Sequence, residues 1–88
     1  MTESQNEQFK TELKVFLLET CRKKMAPEEL DNDALLLGPY SALGLDSLDV
    51  IELSAGLMSR YGLRIIDSRD ARKKMMSINT LADAIQNL

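Results

Sequence analysis

Histidine and tryptophan are absent from this 88-residue chain, and cysteine occurs once. Without imidazole, neither a Ser/His nor a Cys/His catalytic pair can be assembled within the chain, and no plausible zinc-ligand set remains. With no glycine-rich phosphate loop either, activity as an enzyme is not expected, and a serine that reacts must draw its base from another protein. A single cysteine, Cys21, also excludes an intramolecular disulfide. No apolar run approaches the ~20 residues of a membrane span. Met1-Thr2-Glu3-Ser4 lacks signal-peptide character, so a cytoplasmic protein is expected. Basic stripes interleaved with aromatics are missing, and the net charge of −3 has the wrong sign, so no nucleic-acid partner is expected.

What is present suits one small helical domain over residues 1–88, with a modest core burying ~60% of the unfolded surface. Hydrophobic residues make up 44% and charged residues 28%, ordinary values for a globular chain. The charge is uneven. Residues 1–50 hold ten acids and five bases (net −5), whereas residues 51–88 hold four acids and six bases (net +2).

The most regular amphipathic run is Leu48 to Tyr61, opened by Gly44-Leu45-Asp46-Ser47-Leu48-Asp49. Val50, Leu53, Leu57 and Tyr61 fall on one helical face, with Leu48, Ile51 and Ala55 on an adjacent, more exposed one. This predicts a helix from Ser47 to about Tyr61, ended by Gly62 at C′. Ser47 is then at a helix N-terminus with its hydroxyl in solvent, where unpaired N–H groups and the macrodipole tolerate an attached phosphate. Gly56 costs the helix ~1 kcal/mol relative to alanine. Close helix packing is the simpler reason for it, a widened internal channel the other.

Upstream, Ser4 and Glu7 read as a capping box. Phe9, Leu13, Phe16 and Leu17 form a core-facing stripe continued by Thr20 and Cys21, for a first helix from about Gln5 to Arg22. Cys21 reads as a small buried hydrophobe, or alternatively as a reactive thiol beside Arg22 and Lys23. Residues 25–45 form a long connection with a short turn at Pro27-Glu28-Glu29-Leu30. Asp31-Asn32-Asp33 opens like a calcium loop, but Leu35, Leu37 and Ala42 stand where oxygen ligands are needed, so it reads as a solvated loop. Leu35, Leu36, Leu37 and Leu43 are too apolar for free loop, and several should pin the connection to the core. Asp67-Ser68 caps a short third helix with Ala71, Met75 and Met76 inward. Ser77 caps a fourth, whose stripe is Ile78, Leu81, Ala82, Ile85 and Leu88. The predicted fold is an all-α four-helix bundle, three longer helices plus a short third one, expected as a monomer.

Gly44, Asp46-Ser47-Leu48-Asp49 and Ile51-Glu52-Leu53 together resemble the modification site of the acyl carrier protein family, in a chain of matching length and helix order. The resemblance implies a 4′-phosphopantetheine arm, derived from coenzyme A, on Ser47, bearing acyl groups as thioesters for fatty-acid, polyketide or related lipid synthesis. It implies as partners a magnesium-dependent phosphopantetheinyl transferase and acyl-loading, condensing and transfer enzymes. Asp46, Asp49 and Glu52 would form an acidic corner for basic partner patches, with Leu48 and Ile51 as apolar contacts. Asp46 and Asp49 could equally be a helix cap and a first-turn acid favoured by the dipole. The commoner fatty-acid carriers stay acidic along the far half of the second helix and into the third. Arg60, Arg69, Arg72, Lys73 and Lys74 depart from that, which suggests a specialised carrier with its own enzymes. Gly56, Ala55, Met75 and Met76 suggest room for an acyl chain between the later helices. The alternatives are an aminoacyl or peptidyl carrier using the same arm, and an unmodified helical adaptor binding through Leu48, Ile51 and Met58.

Overall fold

The computed structural model describes the backbone of residues 3–88 and the side chains of residues 7–88. Its helices are α1 (Glu3–Thr20), α2 (Ser47–Tyr61), α3 (Ser68–Lys74) and α4 (Ile78–Gln86), with one 3₁₀ turn, Pro27–Glu29, between the first two. The fold is the expected all-α bundle. Helix α1 packs on α2 and α4, and α3 packs on α4. The fully covered side chains include Leu13 and Leu17 of α1, Leu53 and Leu57 of α2, Met75 after α3, and Ile78 and Leu81 of α4. Leu18 is buried as well, because α1 is covered from two sides and needs a wider apolar face than a single stripe.

Helix α1 stops two residues before the predicted end. Arg22 adopts φ +57°. Its N–H donates to Glu19 C=O (3.2 Å) and that of Lys23 to Leu18 C=O (2.8 Å), the two bonds of a Schellman motif. An L-residue in that conformation costs ~1 kcal/mol or more, which glycine avoids. Arg22→Gly is therefore expected to raise the unfolding free energy by about 1 kcal/mol in a denaturant titration. The capping box expected at Ser4 and Glu7 depends on side chains outside the described ones, and the α1 backbone already runs through Ser4.

The connection to α2 is tied down at both ends. Leu30, Leu36, Leu43 and Leu45 are buried, Leu37 is half-buried, and Leu35 is exposed. Leu36 N–H donates to Met76 C=O (3.1 Å), while Leu45 N–H donates to Leu36 C=O and Gly38 N–H to Leu45 C=O (both 3.0 Å). The Asp31-Asn32-Asp33 segment is fastened too: Asn79 N–H donates to Asn32 C=O, and the Asn79 side-chain amide to Asp33 Oδ1. It is thus a strap onto the start of α4 rather than a freely solvated loop.

Two inward assignments are corrected. Met76 is exposed because α3 ends at Lys74 and the chain turns toward Ser77, leaving the helical period. Leu88 is exposed because α4 ends at Gln86. Ser77 caps α4 as expected, accepting from Thr80 N–H at 3.2 Å.

Gly56 is a packing glycine. A Cβ on it would stand 2.6 Å from Phe16 Cζ, across the α1–α2 interface. The ring is held there edge-on to Tyr61 (centroids 6.0 Å apart) with the Arg60 guanidinium 5.4 Å from its centroid. Gly56→Ala gains ~1 kcal/mol of helix propensity but overpacks a held ring, at ~1–3 kcal/mol. Net destabilisation is expected. In a Phe16→Leu background the same substitution should become stabilising, and a double-mutant cycle of melting experiments reads that change of sign.

Candidate functional site

Helix α2 starts where the sequence places its start, because its cap is written locally. Asp46 is extended (φ −110°, ψ −172°), and its Oδ1 accepts from Asp49 N–H at 3.0 Å. Asp49 Oδ2 accepts in return from Asp46 N–H at 3.1 Å, completing a capping box. The Asp49 N–H above all holds the Asp46 carboxyl below its ordinary value of 3.8. At the far end Gly62, at φ +74°, donates to Met58 C=O (3.0 Å).

This division of labour leaves Ser47 free. Asp46 supplies the capping oxygen, and no described residue hydrogen-bonds the exposed Ser47 hydroxyl. Ser47, Leu48, Ile51 and Glu52 are all exposed, Leu48 by 70% and Ile51 by 65%, whereas Leu53 and Leu57 are covered. The three acids of the expected corner are not placed alike. Asp46 and Glu52 face solvent, while Asp49 is half-buried with one oxygen engaged in the cap. The capping reading of Asp46 and Asp49 therefore holds, and leaves their outward oxygens available.

The half-buried Cys21 lies within the field of this corner. Burial chiefly, and then Asp49, Glu52 and Asp46 against the opposing Lys23, push its thiol up from 9.0 to about 11. That opposes thiolate formation, and the packing reading of Cys21 is the better one.

Beside Ser47 opens a groove of about 680 Å³, mostly apolar, whose walls are α2, the 37–45 loop, the segment after α2, and α3. Its principal apolar residues are Leu37, Leu45, Val50, Ile51, Ile65 and Ala71. Of the residues expected to make room for a chain, none borders it. Gly56 is turned to Phe16, Ala55 and Met76 are exposed, and Met75 is fully buried in the core. Leu37 and Ile65, which do border it, lie outside any helix. An apolar residue in a connection was their only sequence signal.

The basic residues of the second half are not equivalent. Lys74 is 3.0 Å from Asp70 Oδ2 and also donates to Arg64 C=O (3.1 Å). The Ile66 N–H, and then Lys74, hold the Asp70 carboxyl below its ordinary range. Arg60 stacks over the Phe16 and Tyr61 rings. Arg69, Arg72 and Lys73 are exposed and carry no ion pair among the described residues.

The chain is 36% identical over 64 residues to an acyl carrier protein of Campylobacter hominis, covering 73% of this chain and 75% of that protein. It is 31% identical over 81 residues to the chloroplastic acyl carrier protein 3 of Cuphea lanceolata, covering 92% of this chain. It spans 54% of the length of that plant protein. This chain belongs to the acyl carrier protein family, a family of carriers rather than catalysts. No family model matches the chain, and no solved structure matches it. Among the described residues no helix is long and apolar enough to cross a membrane.

Proposed function

We propose that Ser47 carries a 4′-phosphopantetheine arm and that the chain delivers acyl thioesters to partner enzymes of lipid or polyketide synthesis. The observation that carries this reading is the unengaged Ser47 hydroxyl, exposed on a helix whose cap Asp46 already provides and flanked there by the exposed Leu48 and Ile51. The residues fit the group. The oxygen is accessible, the first turn of α2 favours a phosphate through its dipole, and the Asp46 and Asp49 charges do not have to cradle what is held covalently. When bound, the arm supplies a terminal thiol that bears the acyl group. Ser47 provides the attacking oxygen. With no histidine in the chain, the transferase must take its proton and release the nucleotide half of coenzyme A. Leu48 and Ile51, with Asp46, Asp49 and Glu52 around them, form the surface that partners read.

The groove favours an acyl over an aminoacyl cargo, since a hydrocarbon chain gains ~0.8 kcal/mol per methylene on burial and a polar one loses. The free cations of α3 support a dedicated set of enzymes, because a partner with one uniformly basic patch would be repelled there. The adaptor reading keeps the same exposed residues, including Met58, without the arm. Incubation with coenzyme A and a phosphopantetheinyl transferase separates the two. An intact-mass gain of one arm is expected, and no gain with any transferase tried removes the carrier reading. Melting temperatures that rise with acyl length from four to eight carbons would support cargo in the groove; a flat series points to cargo held outside it.

A further inference from the structure

Among the described residues Arg72 is the single cation bordering the groove beside Ser47. The helix that bears it is held at both ends. Asp67 caps α3 by accepting from Asp70 N–H at 2.8 Å, and Lys74 ties the other end to Asp70 and to Arg64 C=O. Ala71, its neighbour in sequence, is buried in the same wall. Yet the Arg72 guanidinium has no ion pair or hydrogen bond among the described residues. Asp46 and Asp67, which border the groove as well, each spend a carboxylate oxygen on a helix cap. An aliphatic cargo has no use for an unpaired cation on its wall, whereas the planar fork of arginine matches carboxylate and phosphate oxygens.

We propose that Arg72 holds an anionic oxygen carried on the arm, either the phosphodiester next to Ser47 or a carboxylate on the cargo, and so selects what lies in the groove. This deepens the carrier reading and rests on it. Arg72 would bind and orient; it takes no part in chemistry.

The test loads wild-type protein, Arg72→Gln and Arg72→Lys by transferase from coenzyme A, octanoyl-coenzyme A and suberoyl-coenzyme A. The suberoyl terminal carboxyl carries ¹³C. Octanoyl and suberoyl chains have equal length and differ in a terminal methyl against a carboxylate. If the cargo is the ligand, the carboxyl on wild-type protein should titrate roughly half a pH unit below the same group on free suberoyl-coenzyme A, about threefold in proton affinity. Arg72→Gln should abolish that difference, Arg72→Lys should retain part of it, and the octanoyl forms should melt alike. If the phosphodiester is the ligand, the ³¹P resonance of the plain arm should move on Arg72→Gln while the carboxyl titration does not. A carboxyl that titrates identically in wild type and Arg72→Gln, with an unmoved ³¹P resonance, overturns the inference and leaves the carrier reading intact. A chain whose mass shows no arm after loading overturns both.

Discussion

Leu53→Ala is expected to lower the unfolding free energy by about 3 kcal/mol, the range for truncating a buried leucine that leaves an unfilled cavity. Leu53 is fully covered on the inner face of α2, between Val50 and Leu57, and has no solvent side into which neighbours could relax. In so small a domain this is a large share of the total stability. Urea titration followed by far-ultraviolet circular dichroism reads it. A loss under 1 kcal/mol would mean that the covered face of α2 is misassigned. Held at a temperature where it stays folded, the variant should still accept an arm, because nothing on the exposed face has changed.

Leu48→Ala should behave in the opposite way. Five positions earlier on the same helix, this leucine is 70% exposed and adds little to stability, within about 0.5 kcal/mol for a surface substitution. It adjoins the oxygen proposed to take the arm, though, and if it is an apolar anchor of the proposed docking surface its loss should cost about 2 kcal/mol, roughly thirtyfold in kcat/KM for arm transfer. Glu52→Lys, at the rim of the same surface, should act mainly on association and lose its effect in high salt. A Leu48→Ala variant that loads at the wild-type rate would remove Leu48 from the recognition surface. The pair of leucines thus separates the two faces of α2 in two independent assays.

Helix α2 was legible from end to end because both its stop signals are local. Asp46 and Asp49 reciprocate across one turn, and Gly62 supplies the left-handed residue that ends it. The end of α1 was not legible. Arg22 takes up the same left-handed role without glycine's signature, so the charged run Arg22-Lys23-Lys24 reads as a last helical turn when it lies just past one. Extending each period beyond the residue where the helix stops places Met76 and Leu88 inward, where neither lies. The groove was the least visible feature. Its walls are assembled from α2, α3 and two connections, and no periodicity links Leu37 to Ile65. Flexible methionines and a glycine look like space in a sequence, but here packing consumes Gly56 and Met75. The serine itself was readable, since its exposure follows from helix register alone.

An internal control for that serine is built into the chain. Asp-Ser occurs twice, at Asp46-Ser47 and Asp67-Ser68, and in both cases the aspartate caps a helix and the serine is exposed at its first position. Exposure, a helix start and an aspartate two residues on therefore cannot distinguish the two; Leu48 and Ile51 after Ser47 can, against Arg69 and Arg72 at the same places after Ser68. The decisive measurement is the intact mass of Ser47→Ala and Ser68→Ala after incubation with coenzyme A and a phosphopantetheinyl transferase that loads the wild-type chain. Ser68→Ala should gain one arm in full and Ser47→Ala none, with both proteins folded to the wild-type extent. An arm retained by Ser47→Ala would contradict the assignment of the attachment point on which the rest of the mechanism stands.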